Sequence, residues 1–139
     1  MNQSETLPIT DDEAFSYVIE PDFVRFTMGE MVDARVVGEA SERLANDPAY
    51  RNRMNLLIDD RRNKVPSRPA EARKAAQLLA RYPGLFGPRI AILVNSTVQY
   101  GMIRIFGALV QQQGIVARPF RDEADAVAWL RDAEAEPTQ

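Results

Sequence analysis

Apolar and polar positions change period several times along this chain, and each change marks an element. Phe15-Ser16-Tyr17-Val18-Ile19 is rich in strand formers, and Glu20-Pro21-Asp22 is a turn signal. Val24, Phe26 and Met28 then alternate with Phe23, Arg25 and Thr27, so two short strands about a tight turn predict a hairpin. Val32, Val36, Val37, Ala40 and Leu44 recur at helical spacing and stop near Asn46-Asp47-Pro48, where proline cannot continue a helix. Met54-Asn55-Leu56-Leu57-Ile58 and Ile90-Ala91-Ile92-Leu93-Val94 are short apolar runs, the pattern of strands covered on both faces.

Between those runs a polar loop, Arg61 to Arg68, leads to Pro69, which suits a first helical turn. Ala72, Ala75, Ala76 and Leu79 line one face of the helix that follows, and Pro83-Gly84 ends it. Asn95-Ser96-Thr97 supplies an N-cap for a helix from about Val98 to Gln113, with Gly114 at its C-cap. Ile115 to Phe120 reads as a last strand, and Pro119, which has no N–H for a ladder, puts it at a sheet edge. Asp122 caps a final helix carrying Ala126, Val127, Trp129 and Leu130. Residues 1–13 read as a flexible lead-in and 132–139 as a frayed tail, leaving one domain at 14–131. The order ββαβαβαβα predicts a single-domain α/β fold: a five-stranded sheet, mainly parallel after the hairpin, with helices packed on it.

Composition then narrows the chemistry. The 139 residues include no histidine and no cysteine. That excludes Ser-His-Asp and Cys-His catalysis, imidazole or thiolate metal sites, and thiol redox chemistry. The expectation is a protein that is not an enzyme and holds no metal or cofactor. No run of 18 apolar residues is present and the first residues lack a signal-peptide pattern, so a cytoplasmic protein without a transmembrane segment is expected. Charge is unevenly spread. Residues 1–50 carry 3 basic and 11 acidic side chains, and residues 51–89 carry 10 basic and 3 acidic, within a net charge of -3. The basic middle is either an anion-binding face or a solvated helix and its loops. It lacks interleaved aromatics, and the chain as a whole is acidic, so nucleic acid is not an expected partner.

In open α/β sheets ligands bind beyond the carboxyl ends of the strands. Two segments fall there: Asp59-Asp60-Arg61-Arg62-Asn63-Lys64 with Ser67, and Asn95-Ser96-Thr97. Asp59, Arg61, Arg62, Ser67, Asn95 and Thr97 are thus the candidates for binding a small anionic or lipidic ligand. The competing reading has Ser67 and Thr97 capping helices while Arg61 and Arg62 pair with Asp59 and Asp60. Adjacent Asp59 and Asp60 make a poor acid–base dyad, because strand neighbours point to opposite faces.

The helix from Val98 is apolar almost all round. Met102, Ile105, Phe106 and Leu109 form one stripe, expected in the core. Ile103, Gly107 and Val110 form a second, expected at an interface and pointing to a homodimer. Gly101 and Gly107 each forgo about 1 kcal/mol of helix propensity, which a close approach by another backbone or a ligand would explain.

Several pieces in this order resemble a family. They are Asp47-Pro48-Ala49-Tyr50, Leu56-Leu57-Ile58-Asp59-Asp60-Arg61, Arg89 to Val94, Tyr100 to Phe106, Val116 to Asp122 and Ala126-Val127-Ala128-Trp129-Leu130. Together they resemble the single-domain bacterial proteins of the STAS/SpoIIAA-like group, related in fold to anti-sigma-factor antagonists. The resemblance implies a regulatory or protein-interaction module without catalysis. In the antagonists a serine at the start of the second helix is phosphorylated, and Ser67 is the nearest match. It stands in Pro66-Ser67-Arg68-Pro69, without the Asp before and the Ser-Gly after that mark those proteins. The group is also likened to CRAL-TRIO lipid-binding domains, which implies a cavity lined by residues such as Met102 and Phe106.

Overall fold

The computed structural model describes residues 14–132, so the lead-in and all of the tail beyond Asp132 lie outside the described residues. β1 (Phe15–Ile19) and β2 (Phe23–Met28) form the expected hairpin, antiparallel, with the amide of Glu20 donating to the Phe23 carbonyl across the turn. α1 (Arg35–Ala45), β3 (Met54–Asp59), α2 (Pro69–Leu79), β4 (Phe86–Leu93), α3 (Thr97–Val110), β5 (Val116–Phe120) and α4 (Glu123–Arg131) follow. β2 to β5 are parallel, and the five strands lie side by side in chain order. β5 is an edge strand, with Pro119 opposite Ile92, as its proline requires.

Strand order and crossover hand together decide where the helices go. Parallel crossovers are right-handed, so three of them running in one direction across a sheet put their helices on one face. α1, α2 and α3 share that face, where Val24, Phe26, Leu56, Ile90 and Ile92 meet Val36, Leu44, Ala76, Leu79, Phe106 and Val110. α4 covers the other face, where Phe23, Leu57, Ala91 and Leu93 pack on Ala126, Trp129 and Leu130. Alternate residues of one strand therefore serve two different cores, which is why β3 and β4 read as unbroken apolar runs. Arg89, 5% exposed, anchors α4 by donating from Nη1 to the carbonyls of Trp129 and Asp132, both at 2.6 Å. A cation on the last carbonyls of a helix also complements its dipole.

Three expectations change. β4 starts at Phe86, earlier than the apolar run at Ile90, because Phe86 already pairs with Met54 and a register shift absorbs Gly87 and Pro88. Ser67 and Thr97 cap nothing with their side chains: Arg68 is the N-cap residue of α2, and the hydroxyl of Ser96 accepts from the Gln99 amide at the start of α3. The inward face of α3 draws on both expected stripes: Phe106 stays in the core, and Ile103 and Val110 join it in place of Ile105 and Leu109. Val110 is fully buried and Phe106 nearly so, Ile103 packs against the same core, and Ile105 and Leu109 are exposed. The helix is turned by about one residue, or 100°, from the expected orientation. Gly107 allows this, because α3 lies directly on β5: a Cβ on Gly107 would sit 2.6 Å from the Ala117 carbonyl oxygen. Gly107 and Val110 therefore belong to this chain's own packing, which corrects their assignment to an interface. A Cβ on Gly101 would meet no described residue of another element within 4 Å.

The two glycines should respond oppositely to alanine. Gly101→Ala should stabilise by roughly 0.5–1 kcal/mol through helix propensity alone. Gly107→Ala should destabilise by roughly 1–3 kcal/mol, because overpacking against backbone outweighs that gain. Urea midpoints of the two variants check both signs.

Candidate functional site

The loops that leave the C-terminal ends of β2, β3 and β4 are tied together by polar side chains. Asn63 donates to the Val32 carbonyl at 2.9 Å and accepts from the amides of Val32 and Val65. Glu71, on α2, accepts from the Ala34 amide at 2.9 Å and so caps the start of α1 from another helix. Gln99 donates to the Asp60 carbonyl and accepts from the Asn95 amide, while the Asn95 side chain donates to the Arg61 carbonyl. The sequence brings these loops to one end of the sheet because three parallel strands finish there. Their short polar side chains then satisfy backbone groups that no strand or helix uses.

Asp59 and Asp60 face opposite sides, as strand geometry requires. Asp59 accepts two bonds from the Arg61 guanidinium, at 2.9 and 2.8 Å, on the α4 side. Burial opposes its charge, but the side-chain and backbone hydrogen bonds from Arg61 win and hold the carboxyl below its ordinary range. Arg61 also reaches Glu123 at 3.6 Å, and Arg25 bridges the same Glu123 at 2.7 Å. This cation is committed to carboxylates and presents no free anion site. Asp60 points to the three-helix side. It accepts from Asn63 Nδ2 at 3.1 Å and meets no cation among the described ion pairs. Burial pushes its carboxyl up to about 6; the Asn63 bond pulls it back, and the Asp59 charge adds to the rise.

Beneath Asp60 lies a cavity of about 180 Å³ between the sheet and α1, α2 and α3. Ile58 and Ile92 form its floor, and Val36, Val37, Ala72, Ala75, Met102, Ile103 and Phe106 its walls. Asp33, Asp60, Asn63 and Glu71 supply its polar points, and Pro66, Ser67 and Arg68 its loop side, where Pro66 and Arg68 are exposed. Ala72 and Ala75 of α2 are small side chains on the wall of this space.

Of the six residues selected from sequence as ligand-binding candidates, only Ser67 lines this cavity. Asp59 and Arg61 pair with each other on the opposite face, Asn95 ties two loops together, and Arg62 and Thr97 are exposed. Asp60, Asn63 and Glu71 carry more of the site than those six. The alternation rule that separates Asp59 from Asp60 is the one signal that could have found Asp60, since it puts Asp60 on the face opposite Asp59. Met102 and Phe106 do line the cavity, the arrangement that a lipid-binding reading would need.

No family model and no curated protein matches the chain. Among solved structures it is similar to an uncharacterised protein of the DUF3478 family from Shewanella loihica PV-4, described as having a SpoIIAA-like fold. The identity is 18%, the match covers 88% of this chain and 99% of that one, and the TM-score is 0.57. The fold is SpoIIAA-like. At that identity the likeness fixes architecture and carries no ligand or partner with it. Among the described residues no helix is long and apolar enough to cross a membrane.

The raised Asp60 carboxyl has a stability consequence with a defined sign. A group whose folded value exceeds its unfolded one supports the fold at low pH and loses that support as pH rises, here between about 4 and 6. Asp60→Asn, which can still accept from Asn63, should therefore raise the urea midpoint clearly at pH 8 and little at pH 4. Denaturation curves at the two pH values check this.

Proposed function

We propose that this chain is a non-enzymatic binding module that holds a small, mostly apolar ligand in the cavity under Asp60. The observation that carries this reading is the cavity itself: about 180 Å³, apolar on its floor and walls, at the strand ends of a parallel sheet. An engineered cavity of about 150 Å³ with similar walls binds a benzene-sized molecule, so the volume suits one ring or a short length of acyl chain. The position agrees with the general rule for α/β sheets. Of the two ligand classes expected at the strand ends, the apolar one fits better. The Arg61 cation is consumed by Asp59 and Glu123, and three carboxylates line the space. Titration with toluene, followed by amide and methyl NMR shifts, should move resonances of Ile58, Ile92, Ala72 and Phe106. Ala75→Leu should fill the cavity and weaken toluene binding at least tenfold while keeping the protein folded.

The exposed face of α3 favours a second reading, protein interaction through a homodimer. Val98, Ile105 and Leu109 are 59%, 36% and 38% exposed, and Met102 stands at the border between this face and the core. Positions 98, 102, 105 and 109 follow the four-three-four spacing of a two-helix seam. A second copy of the chain meeting this face would cover all four residues. Sedimentation at tens of micromolar should then give a dimer, and Ile105→Arg with Leu109→Arg should give a monomer of unchanged stability. A wild-type protein that sediments only as monomer removes this reading.

A further inference from the structure

We propose that the cavity selects a compact apolar molecule bearing one protonated amine, with the Asp60 carboxylate as the acceptor for that ammonium group. This rests on the reading of the cavity as a ligand site and adds the chemistry that site would choose.

The argument starts from how the polar groups around the cavity are used. Asn63 is occupied on both its oxygen and its nitrogen by Val32, Val65 and Asp60. Glu71 accepts from the Ala34 amide, and Asp33 accepts from the Arg35 backbone amide at 3.0 Å and from its guanidinium at 3.2 and 3.3 Å. Asp60 differs. One of its oxygens accepts from Asn63, and among the described residues no other donor reaches its carboxyl. The neighbouring arginine that might neutralise it, Arg61, lies on the far face with Asp59. A carboxyl that faces apolar walls with spare acceptor capacity needs either a proton or a donor brought by something else.

Charge around the cavity favours a cation as that donor. Asp33 precedes α1, Glu71 lies on α2, and Asp60 follows the end of β3, with Asp59 behind it. α3 contributes only Met102, Ile103 and Phe106, and Arg68 on the exposed loop side is the one cation among the lining residues. An anionic head placed beside Asp60 would meet uncompensated negative charge. An ammonium would meet an acceptor and leave its apolar body against Ile58, Ile92 and Phe106. The raised carboxyl is in keeping with this, because its surroundings oppose its ionisation and a cation would relieve that.

Three probes of one shape separate the possibilities: toluene, benzylamine and benzoate, titrated by NMR or calorimetry into the wild-type chain and Asp60→Asn. At pH 8 benzylamine should bind about tenfold tighter than toluene or better, the return of one charge-assisted hydrogen bond. Benzoate should bind weakest. The amine's advantage should shrink at pH 5, where Asp60, titrating at about 6, takes up a proton. It should vanish in Asp60→Asn while toluene binding persists. If toluene binds and benzylamine gains nothing, or its gain survives in Asp60→Asn, the role of Asp60 is wrong and the cavity reading stands. If none of the three binds the wild-type chain, both fail.

Discussion

Right-handed crossovers between neighbouring parallel strands are the constraint on which the rest of this structure depends. With β2 to β5 in chain order, nothing reverses direction across the sheet, so among the described residues α1, α2 and α3 crowd one face and α4 covers the other. Three helices side by side on a twisted sheet must fill the space beneath them. α2 lies in the middle and presents Ala72 and Ala75 to the space left at the strand ends. The cavity thus reflects the topology and two small side chains, closed on one side by the loop of Pro66, Ser67 and Arg68.

The same arrangement explains why the loops beside the cavity are rich in polar residues that bind nothing else. Each crossover starts from backbone groups that have left the sheet and not yet joined a helix. Asn63, Glu71, Asn95 and Gln99 satisfy those groups, and in doing so they join neighbouring loops into one rim. A polar cluster at the strand ends is therefore weak evidence of a ligand when its members are all used in this way. Asp60 is distinguished because the fold leaves part of its hydrogen-bonding capacity unspent, on the apolar side of the sheet.

Much of the fold was legible in sequence, for reasons that differ between elements. The hairpin followed from alternation about Glu20-Pro21-Asp22, and α2 and α4 from Pro69 and Asp122, because these signals are local. β4 was legible only from Ile90, since the bulge at Gly87-Pro88 depends on pairing with Met54. α3 was legible as a helix and misleading as a surface. Both of its faces carry apolar side chains, and the orientation is fixed by the close approach of Gly107 to the Ala117 carbonyl, a contact with a different element. The site was legible in location and much less so in its residues. Of the six candidates chosen there, Ser67 alone lines the cavity, because proximity to a strand end does not say which face a side chain takes.

The sequence by itself determined the class of element at almost every position, the single α/β domain, the edge placement of β5, and the absence of imidazole and thiol chemistry. These follow from periodicity, from the missing N–H of Pro119 and from composition, all of which act within a few residues or need no structure at all. Only the tertiary structure decided how α3 is turned about its axis, that Arg61 is spent on Asp59 and Glu123, and that Asp60 overlooks an apolar space. Each of these is a choice among partners distant in the chain, settled by which groups the packed elements bring within a few ångströms.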